Sequence, residues 1–234
     1  MTELSIESLP ATLSVAEIRA VNPPRPELHT HRTYQWNGWD FDLPPGVFQP
    51  GETSRLVHAR LLDRTIDLAG RTYVAMGVGL GVEAVIAGEV GAAEIVAVDI
   101  DPESVTAAAA HFRRIHGDSP ALKPIVSDLF EAVPDGPYDV ITFNPPAVAE
   151  RVTEDPVAVR NFCVGATIAT RFFDQIVARD LLAPDGEIFL IVSNTADLRG
   201  IARYAVQEGF RLEVVHHEDW PGDDVETFLF RVTR

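Results

Sequence analysis

The chain has 234 residues, 46% of them hydrophobic, which is enough to bury the core of one α/β domain. No apolar run approaches the roughly 20 residues that a membrane span requires, and Met1–Pro10 has no basic cluster ahead of an apolar stretch, so we expect a cytoplasmic protein without a membrane partner. The formal net charge of −16 argues against nucleic acid as a partner, and the single cysteine, Cys163, excludes an intramolecular disulfide.

Residues 1–45 predict a small N-terminal cap, because six prolines interrupt the segment and leave only modest apolar stretches. Within 33–43, the pair Asn37-Gly38 is flanked by aromatic residues at alternating positions. An Asn-Gly pair in that setting is the strongest short-range signal for a β-hairpin. We therefore expect a hairpin in the cap and assign residues 46–234 to a larger domain.

Beyond residue 46, short apolar strands alternate with helical patterns. The predicted strands are Tyr73–Met76, Glu94–Val98, Pro124–Val126, Tyr138–Phe143, Glu187–Val192, Leu212–His216 and Thr227–Val232. The predicted helices are Thr53–Asp63, Val82–Val90, Pro102–His116, Val159–Leu182 and Ala196–Glu208. This alternation predicts a mostly parallel sheet covered on both faces. Only a short polar turn separates the last two strands, so the last strand should run antiparallel.

A glycine-rich turn, Gly77-Val78-Gly79-Leu80-Gly81, follows the first strand of this domain, at the edge where open α/β sheets bind ligands. Asp99 ends the next strand, where a carboxylate can accept both ribose hydroxyls of an adenosine. Together the turn and the acid predict a nucleoside cofactor. Val82 replaces the third glycine of the dinucleotide fingerprint, which disfavours NAD.

The fourth strand ends in Phe143-Asn144-Pro145-Pro146. Two prolines fix φ and remove two N–H donors, so we expect the Asn144 amide and the Pro145 carbonyl to point out of the sheet edge. Such a rigid pair is suited to holding an N–H₂ group and aiming its lone pair at a methyl-sulfonium carbon. Asp128, after the third strand, is suited to accepting from an exocyclic amine or, alternatively, to capping a loop or helix.

These motifs, in this order and spacing, resemble those of the class I S-adenosylmethionine (SAM)-dependent methyltransferases with an Asn-Pro-Pro-aromatic motif. The protein glutamine N5-methyltransferases and the small methyltransferase-domain family are the most similar, and the segment 46–53 resembles their pre-helix segment. The resemblance covers residues 46–234. It implies a Rossmann-like fold with a seven-stranded sheet, an antiparallel last strand and SAM as cofactor.

The resemblance also implies a role for each motif. The residues implied for the cofactor are Pro50, Thr53, Gly77, Gly79, Gly81, Asp99, Ile100, Asp128, Leu129 and Asn144. The residues implied at the reacting centre are Asn144, Pro145 and Pro146, with Phe143 and Trp36 as further substrate contacts.

Two positions depart from the family's pattern. Ala75 stands where the family has an acidic residue that helps to place the cofactor's amino group, so Glu83, Asp99 or the N-terminal segment would have to compensate. Ala147 stands where the family has an aromatic residue that stacks on a planar acceptor. Either Phe143 or an aromatic residue of the hairpin replaces that stack, or the acceptor is not planar.

Three hypotheses remain open. A small-molecule N-methyltransferase is favoured by the acidic charge, by Ala147 and by the small size of the chain. A protein methyltransferase acting on a glutamine or lysine side chain is the second. A non-catalytic domain that binds SAM or adenosine is the third, since Ala75 and Ala147 permit it.

Neither the histidines nor Ser193 indicate other chemistry. The pairs His29/His31 and His216/His217 lack a helical spacing with a supporting carboxylate, so we predict no metal site. Ser193 lacks the Gly-x-Ser-x-Gly turn of a hydrolase nucleophile.

Overall fold

The computed structural model describes residues 5–119 and 121–234, so the first four residues of the predicted cap lie outside the described residues. The cap begins with a 3₁₀ turn at Ile6–Ser8, helix α1 (Val15–Val21) and a second 3₁₀ turn at Pro26–His29. Strands β1 (Arg32–Trp36) and β2 (Trp39–Leu43) then pair antiparallel and confirm the predicted hairpin. Both turn residues, Asn37 and Gly38, have positive φ, as a two-residue type I′ turn requires.

The remaining chain alternates between helices and strands. In chain order the elements are α2 (Glu52–Leu62), β3 (Thr72–Met76), α3 (Val82–Val90), β4 (Glu94–Asp99), α4 (Pro102–His116), β5 (Leu122–Val126), β6 (Tyr138–Phe143), α5 (Pro156–Phe162), α6 (Thr167–Arg179), β7 (Leu182–Ser193), α7 (Leu198–Gln207), β8 (Arg211–Trp220) and β9 (Val225–Thr233).

Strands β3 to β9 form one sheet with the order β5-β4-β3-β6-β7-β9-β8. The first five of these are parallel, whereas β9 lies between β7 and β8 and is antiparallel to both. The predicted α/β class and the reversed last strand are therefore confirmed. The chain moves outward from β3 in one direction through β4 and β5, and in the other from β6, so the switch point lies between β3 and β6.

Alternating side chains of the central strands serve two cores. Val74 and Met76 face the side covered by α6 and α7, whereas Tyr73 and Ala75 face the side covered by α2, α3 and α4. The hairpin adds Phe41, which is fully buried, to the second core. No helix in the described ranges 5–119 and 121–234 is long and apolar enough to cross a membrane.

The single helix predicted for Val159–Leu182 is wrong, because the structure has α5 and α6 with a break between them. Val164 and Gly165 donate their backbone N–H groups to the Pro146 carbonyl at 2.7 and 3.3 Å, and Cys163 forms a β-bridge with Ala147. Gly165 adopts a φ of +90°, which ends a helix at little cost. These long-range hydrogen bonds outweigh the continuous helical pattern. Cys163 is a buried free thiol.

Candidate active site

A cavity of about 600 Å³ opens at the carboxyl edge of β3, β4 and β6. Most residues that the sequence singled out line it: Pro50, Thr53, Gly77, Gly79, Asp99, Ile100, Asp128, Leu129, Phe143, Asn144, Pro145 and Pro146. They come together because parallel strands bring their carboxyl ends, and the loops attached to those ends, to one edge of the sheet. Gly81 and Trp36 lie outside this lining.

The glycine turn forms the floor of the cavity. Gly77 and Gly79 have φ values of +68° and +49°, a backbone region that other residues rarely adopt. The N–H of Gly79 donates to Oδ2 of Asp99 at 2.9 Å, which joins the turn to the tip of β4. At Gly81 a Cβ would lie 2.6 Å from the Ala108 Cα on α4. This glycine allows close packing of two helices.

Asp99 presents a carboxylate where a ribose is expected. Its other oxygen, Oδ1, accepts the N–H of Asp101 at 3.0 Å. Burial raises the pKa of Asp99, and the two backbone N–H donors only partly offset this. The neighbouring Ile100 exposes 53% of its surface and lines the same cavity. A carboxylate beside an uncovered apolar surface fits the ribose and base of an adenosine.

Asp128 is held by a cation that sequence reasoning missed. Arg171 of α6 donates to Oδ2 of Asp128 at 2.8 Å, and this hydrogen bond raises the pKa of Arg171. Leu129 has a φ of +51°, is buried and lines the cavity next to Asp128. An acid and an apolar side chain therefore stand together at the end of β5, as an exocyclic amine and a purine face would require.

The Asn-Pro-Pro turn is only partly arranged as expected. Nδ2 of Asn144 donates to Oγ of Ser54 on α2 at 3.3 Å, which leaves the side-chain oxygen of Asn144 as an acceptor for a ligand. The Pro145 carbonyl was expected to be free, but it accepts the N–H of Ala147 at 2.7 Å. The expectation is corrected in this respect, since only one lone pair of that carbonyl remains.

An aromatic residue that the sequence did not single out also lines the cavity. Trp220, at the end of β8, lines the cavity, and its Nε1–H donates to the buried Thr227 hydroxyl at 2.8 Å. Trp36, which the sequence suggested as a substrate contact, packs against His58 with the ring centres 5.4 Å apart. Nothing local in the sequence marks Trp220, because it approaches the site only through the pairing of β8 with β9.

The N-terminal cap covers part of the cavity. Arg25 places its guanidinium 4.7 Å from the centre of the Phe162 ring, and Phe162 contacts Phe48 edge-on at 5.6 Å. All three residues line the cavity. In the part of the chain that the structure describes, no group of three or more His, Cys, Asp or Glu side chains could hold a metal ion.

Fold and site thus define an α/β protein with a cavity at the switch point of its sheet. The sequence profile of the methyltransferase small domain family matches residues 39–213, and the chain belongs to this family. It is a SAM-dependent methyltransferase, and its cofactor is SAM.

The chain is similar to known proteins in sequence and in fold. The chain is 29% identical over 182 residues to the "Putative protein N5-glutamine methyltransferase" of Methanocaldococcus jannaschii, covering 76% of this chain and 87% of that protein. The E. cuniculi Mtq2–Trm112 complex, which methylates the eRF1 translation termination factor, has a similar fold (TM-score 0.59, 17% identity, 81% and 99% of the two chains). So does Methanocaldococcus jannaschii Trm5 in complex with adenosine (TM-score 0.62, 16% identity, 88% and 55%).

Proposed function

We propose that this methyltransferase transfers a methyl group to a nitrogen atom, and that the nitrogen belongs to the side-chain amide of a protein. The observation that carries the proposal is the orientation of Asn144. Its amide nitrogen is engaged by Ser54, so its carbonyl oxygen is the atom left to accept a hydrogen bond from an N–H₂ group in the cavity.

The residues around the cavity supply position rather than acid–base chemistry. Asp99 would hold the ribose, Asp128 and Leu129 the adenine, and the backbone of Gly77 and Gly79 the methionyl part. When bound, SAM supplies an electrophilic methyl group on a sulfonium. Asn144 would orient the acceptor nitrogen along the line of attack on the methyl carbon, so that the new N–CH₃ bond forms as the S–CH₃ bond breaks and S-adenosylhomocysteine is left. The methylated nitrogen then releases one N–H proton to solvent as the product leaves, and the side chains of Arg25, Phe162 and Phe48 would shield the cavity from bulk water during the transfer.

The choice of a protein acceptor rests on size and on the aromatic wall. The small-molecule hypothesis was based partly on the small size of the chain. However, the archaeal relative is named as a protein glutamine methyltransferase, and this chain covers 87% of its length. Small size therefore does not count against a protein acceptor. Trp220 offers the flat surface that a planar amide can stack on, which removes the objection raised by Ala147.

Nucleic acid is disfavoured as an acceptor by charge. Although the chain shares its fold with Trm5, a sequence identity of 16% gives no information about the methyl acceptor. A net charge of −16 repels phosphates at long range.

We also propose that residues 1–45 act as a cap on a catalytic domain formed by residues 46–234.

Radiolabelled SAM and an extract of the producing cells test the proposal. We expect label in the protein fraction, released by enzymatic digestion as N5-methylglutamine, and unaffected by prior nuclease treatment. The Asn144→Ala protein is the control and should label the fraction at a rate lower by about 10²-fold or more. Label that appears only among small molecules would support the small-molecule hypothesis instead, and label abolished by nuclease would indicate a nucleic acid.

A further inference from the structure

A buried polar cluster lies beside the glycine turn, on the face of the sheet covered by α2 and α3. Glu83, in the first turn of α3, accepts the Tyr73 hydroxyl at Oε2 at 2.8 Å, and the Thr142 hydroxyl donates to the same oxygen. Nε2 of His58, on α2, is 3.6 Å from the other oxygen, Oε1. Both His58 and Glu83 line the cavity.

The strand register places this carboxylate over Ala75. In the parallel pair β3–β6, Ala75 is directly opposite Thr142, and Tyr73 is two residues earlier on the same face. Glu83 accepts hydrogen bonds from the side chains of Thr142 and Tyr73, so we infer that its carboxylate lies above the small side chain of Ala75. An acidic side chain at position 75 would point into that same space.

Two atoms of the cluster lack a good partner of their own. His58 is only 2% exposed, yet among the described residues its Nδ1 has no hydrogen-bond partner. Such an orphaned buried atom is rare and needs a reason, of which a missing ligand is one. Oε1 of Glu83 has Nε2 of His58 only at 3.6 Å, beyond a good hydrogen bond. With the His58 proton on Nε2, both atoms are acceptors.

The carboxylate is ready to bind a cation. Burial raises the pKa of Glu83, but the interaction with His58 and the two hydroxyl donors outweigh it, and the net pKa is lowered. The other carboxylates that line the cavity have partners, among them Asp223, whose Oδ1 accepts the Val225 N–H at 3.3 Å. Asp99 accepts two backbone N–H groups, Asp128 is paired with Arg171, and Glu52 is paired with Arg55 at the surface.

We infer that Glu83 and His58 form the binding site for the ammonium group at the methionyl end of SAM. The ammonium would donate to Oε1 of Glu83 and to Nδ1 of His58, the two acceptors that are left open. The Tyr73 and Thr142 hydroxyls are positioning groups that hold the carboxylate still. The inference rests on the proposed position of the cofactor over Gly77 and Gly79.

Calorimetry tests this ammonium site without any turnover, by comparing the affinities of two ligands. The first is S-adenosylhomocysteine, and the second is its analogue in which hydrogen replaces the α-amino group. Because a hydrogen bond between charged groups in a buried site is strong, the wild type should bind S-adenosylhomocysteine about tenfold or more tighter than the analogue. In Glu83→Gln, which keeps the shape and one oxygen, this preference should fall close to unity, with analogue affinity little changed.

Two further variants make the result specific. Glu52→Gln removes a carboxylate that lines the same cavity but is paired at the surface, and it should keep the wild-type preference. His58→Gln keeps a polar atom near Nε2 and removes the acceptor at Nδ1, so it should lose part of the preference even if Glu83→Gln does not fold. Equal binding of both ligands by the wild type, or an unchanged preference in Glu83→Gln, would overturn the proposed ammonium site. No binding of S-adenosylhomocysteine by the wild type would overturn the cofactor position itself.

Discussion

His111 accepts the backbone N–H of Asp42 at its Nε2, over 2.9 Å, and thereby fastens the second strand of the hairpin to helix α4. The opposite nitrogen, Nδ1, donates to the Leu80 carbonyl at 2.9 Å. Since Nε2 must accept and Nδ1 must donate, the imidazole is neutral in the folded protein. One buried side chain thus connects the hairpin to the glycine turn.

This arrangement predicts a loss of stability in acid. Burial lowers the pKa of His111 from its ordinary value of 6.5, so the unfolded chain takes up the proton at a higher pH than the folded chain. The contribution of neutral His111 to the free energy of unfolding is therefore fully present above the ordinary pKa of 6.5, and it is lost as the pH falls below that value. Urea unfolding at about pH 7.5 and about pH 5.5 should show a smaller acid loss in His111→Ala than in the wild type.

The same variant should cost about 1–3 kcal/mol at neutral pH, because it leaves the Asp42 N–H and the Leu80 carbonyl unpaired. His31→Ala is the matched control, since His31 is an exposed residue whose ring pairs with the Asp42 side chain at the surface. It should change stability little. If acidification destabilised the wild type and His111→Ala equally, His111 would not be the source of the effect.

Gly81 and Gly91 form a matched pair for measuring crowding against backbone strain. Their φ values are nearly equal, +87° and +89°, but a Cβ at Gly81 would lie 2.6 Å from Ala108, whereas at Gly91 no described heavy atom would lie within 4 Å. Gly91→Ala should cost about 1–2 kcal/mol, from strain alone. Gly81→Ala should cost about 1–3 kcal/mol more, since α3 and α4 must move apart. Equal losses in denaturant unfolding would show that the helix contact is not close.

Asn144 tests the chemistry rather than the fold. With the acceptor identified by labelling, Asn144→Ala should lower kcat/KM about 10²-fold or more, because a lost aligning contact at the reacting centre costs that much. Affinity for S-adenosylhomocysteine, measured by calorimetry, should change little. Ser54→Ala, which removes only the group that orients the amide, should have a smaller effect. A wild-type rate in Asn144→Ala would reduce the Asn-Pro-Pro turn to scaffold.

The two tryptophans at positions 220 and 36 separate the structural assignment from the one suggested by sequence. Trp220→Ala should raise KM for the acceptor about tenfold, the usual effect of losing one aromatic contact of about 1–1.5 kcal/mol, and Trp220→Phe should recover part of it. Trp36→Ala should leave the acceptor KM near the wild-type value, because that indole packs on His58 outside the cavity. If Trp36→Ala raised the acceptor KM and Trp220→Ala did not, the hairpin would supply the aromatic contact to the acceptor.

Local patterns were sufficient for most elements. The apolar strands, the Asn-Gly turn and the α/β alternation are signals carried by neighbouring residues, and the sheet they predict is the one found. The helix predicted through 159–182 is the exception. Its helical pattern is continuous in sequence, but Val164 and Gly165 bond to Pro146, and a partner almost twenty residues away leaves no trace in a local period.

By itself the sequence determined the class of protein and one side of its site. Gly77, Gly79, Asp99 and Asn144 each lie at or just beyond the carboxyl end of a strand, and parallel strands bring those ends to a common edge, so the sequence alone places these residues together. The tertiary structure alone decided what surrounds them. Glu83 accepts a hydrogen bond from Thr142, which pairs with Ala75 across β3 and β6, and Trp220 reaches the cavity from the end of β8. Packing depends on which faces meet, and that information is not local to any segment of the chain.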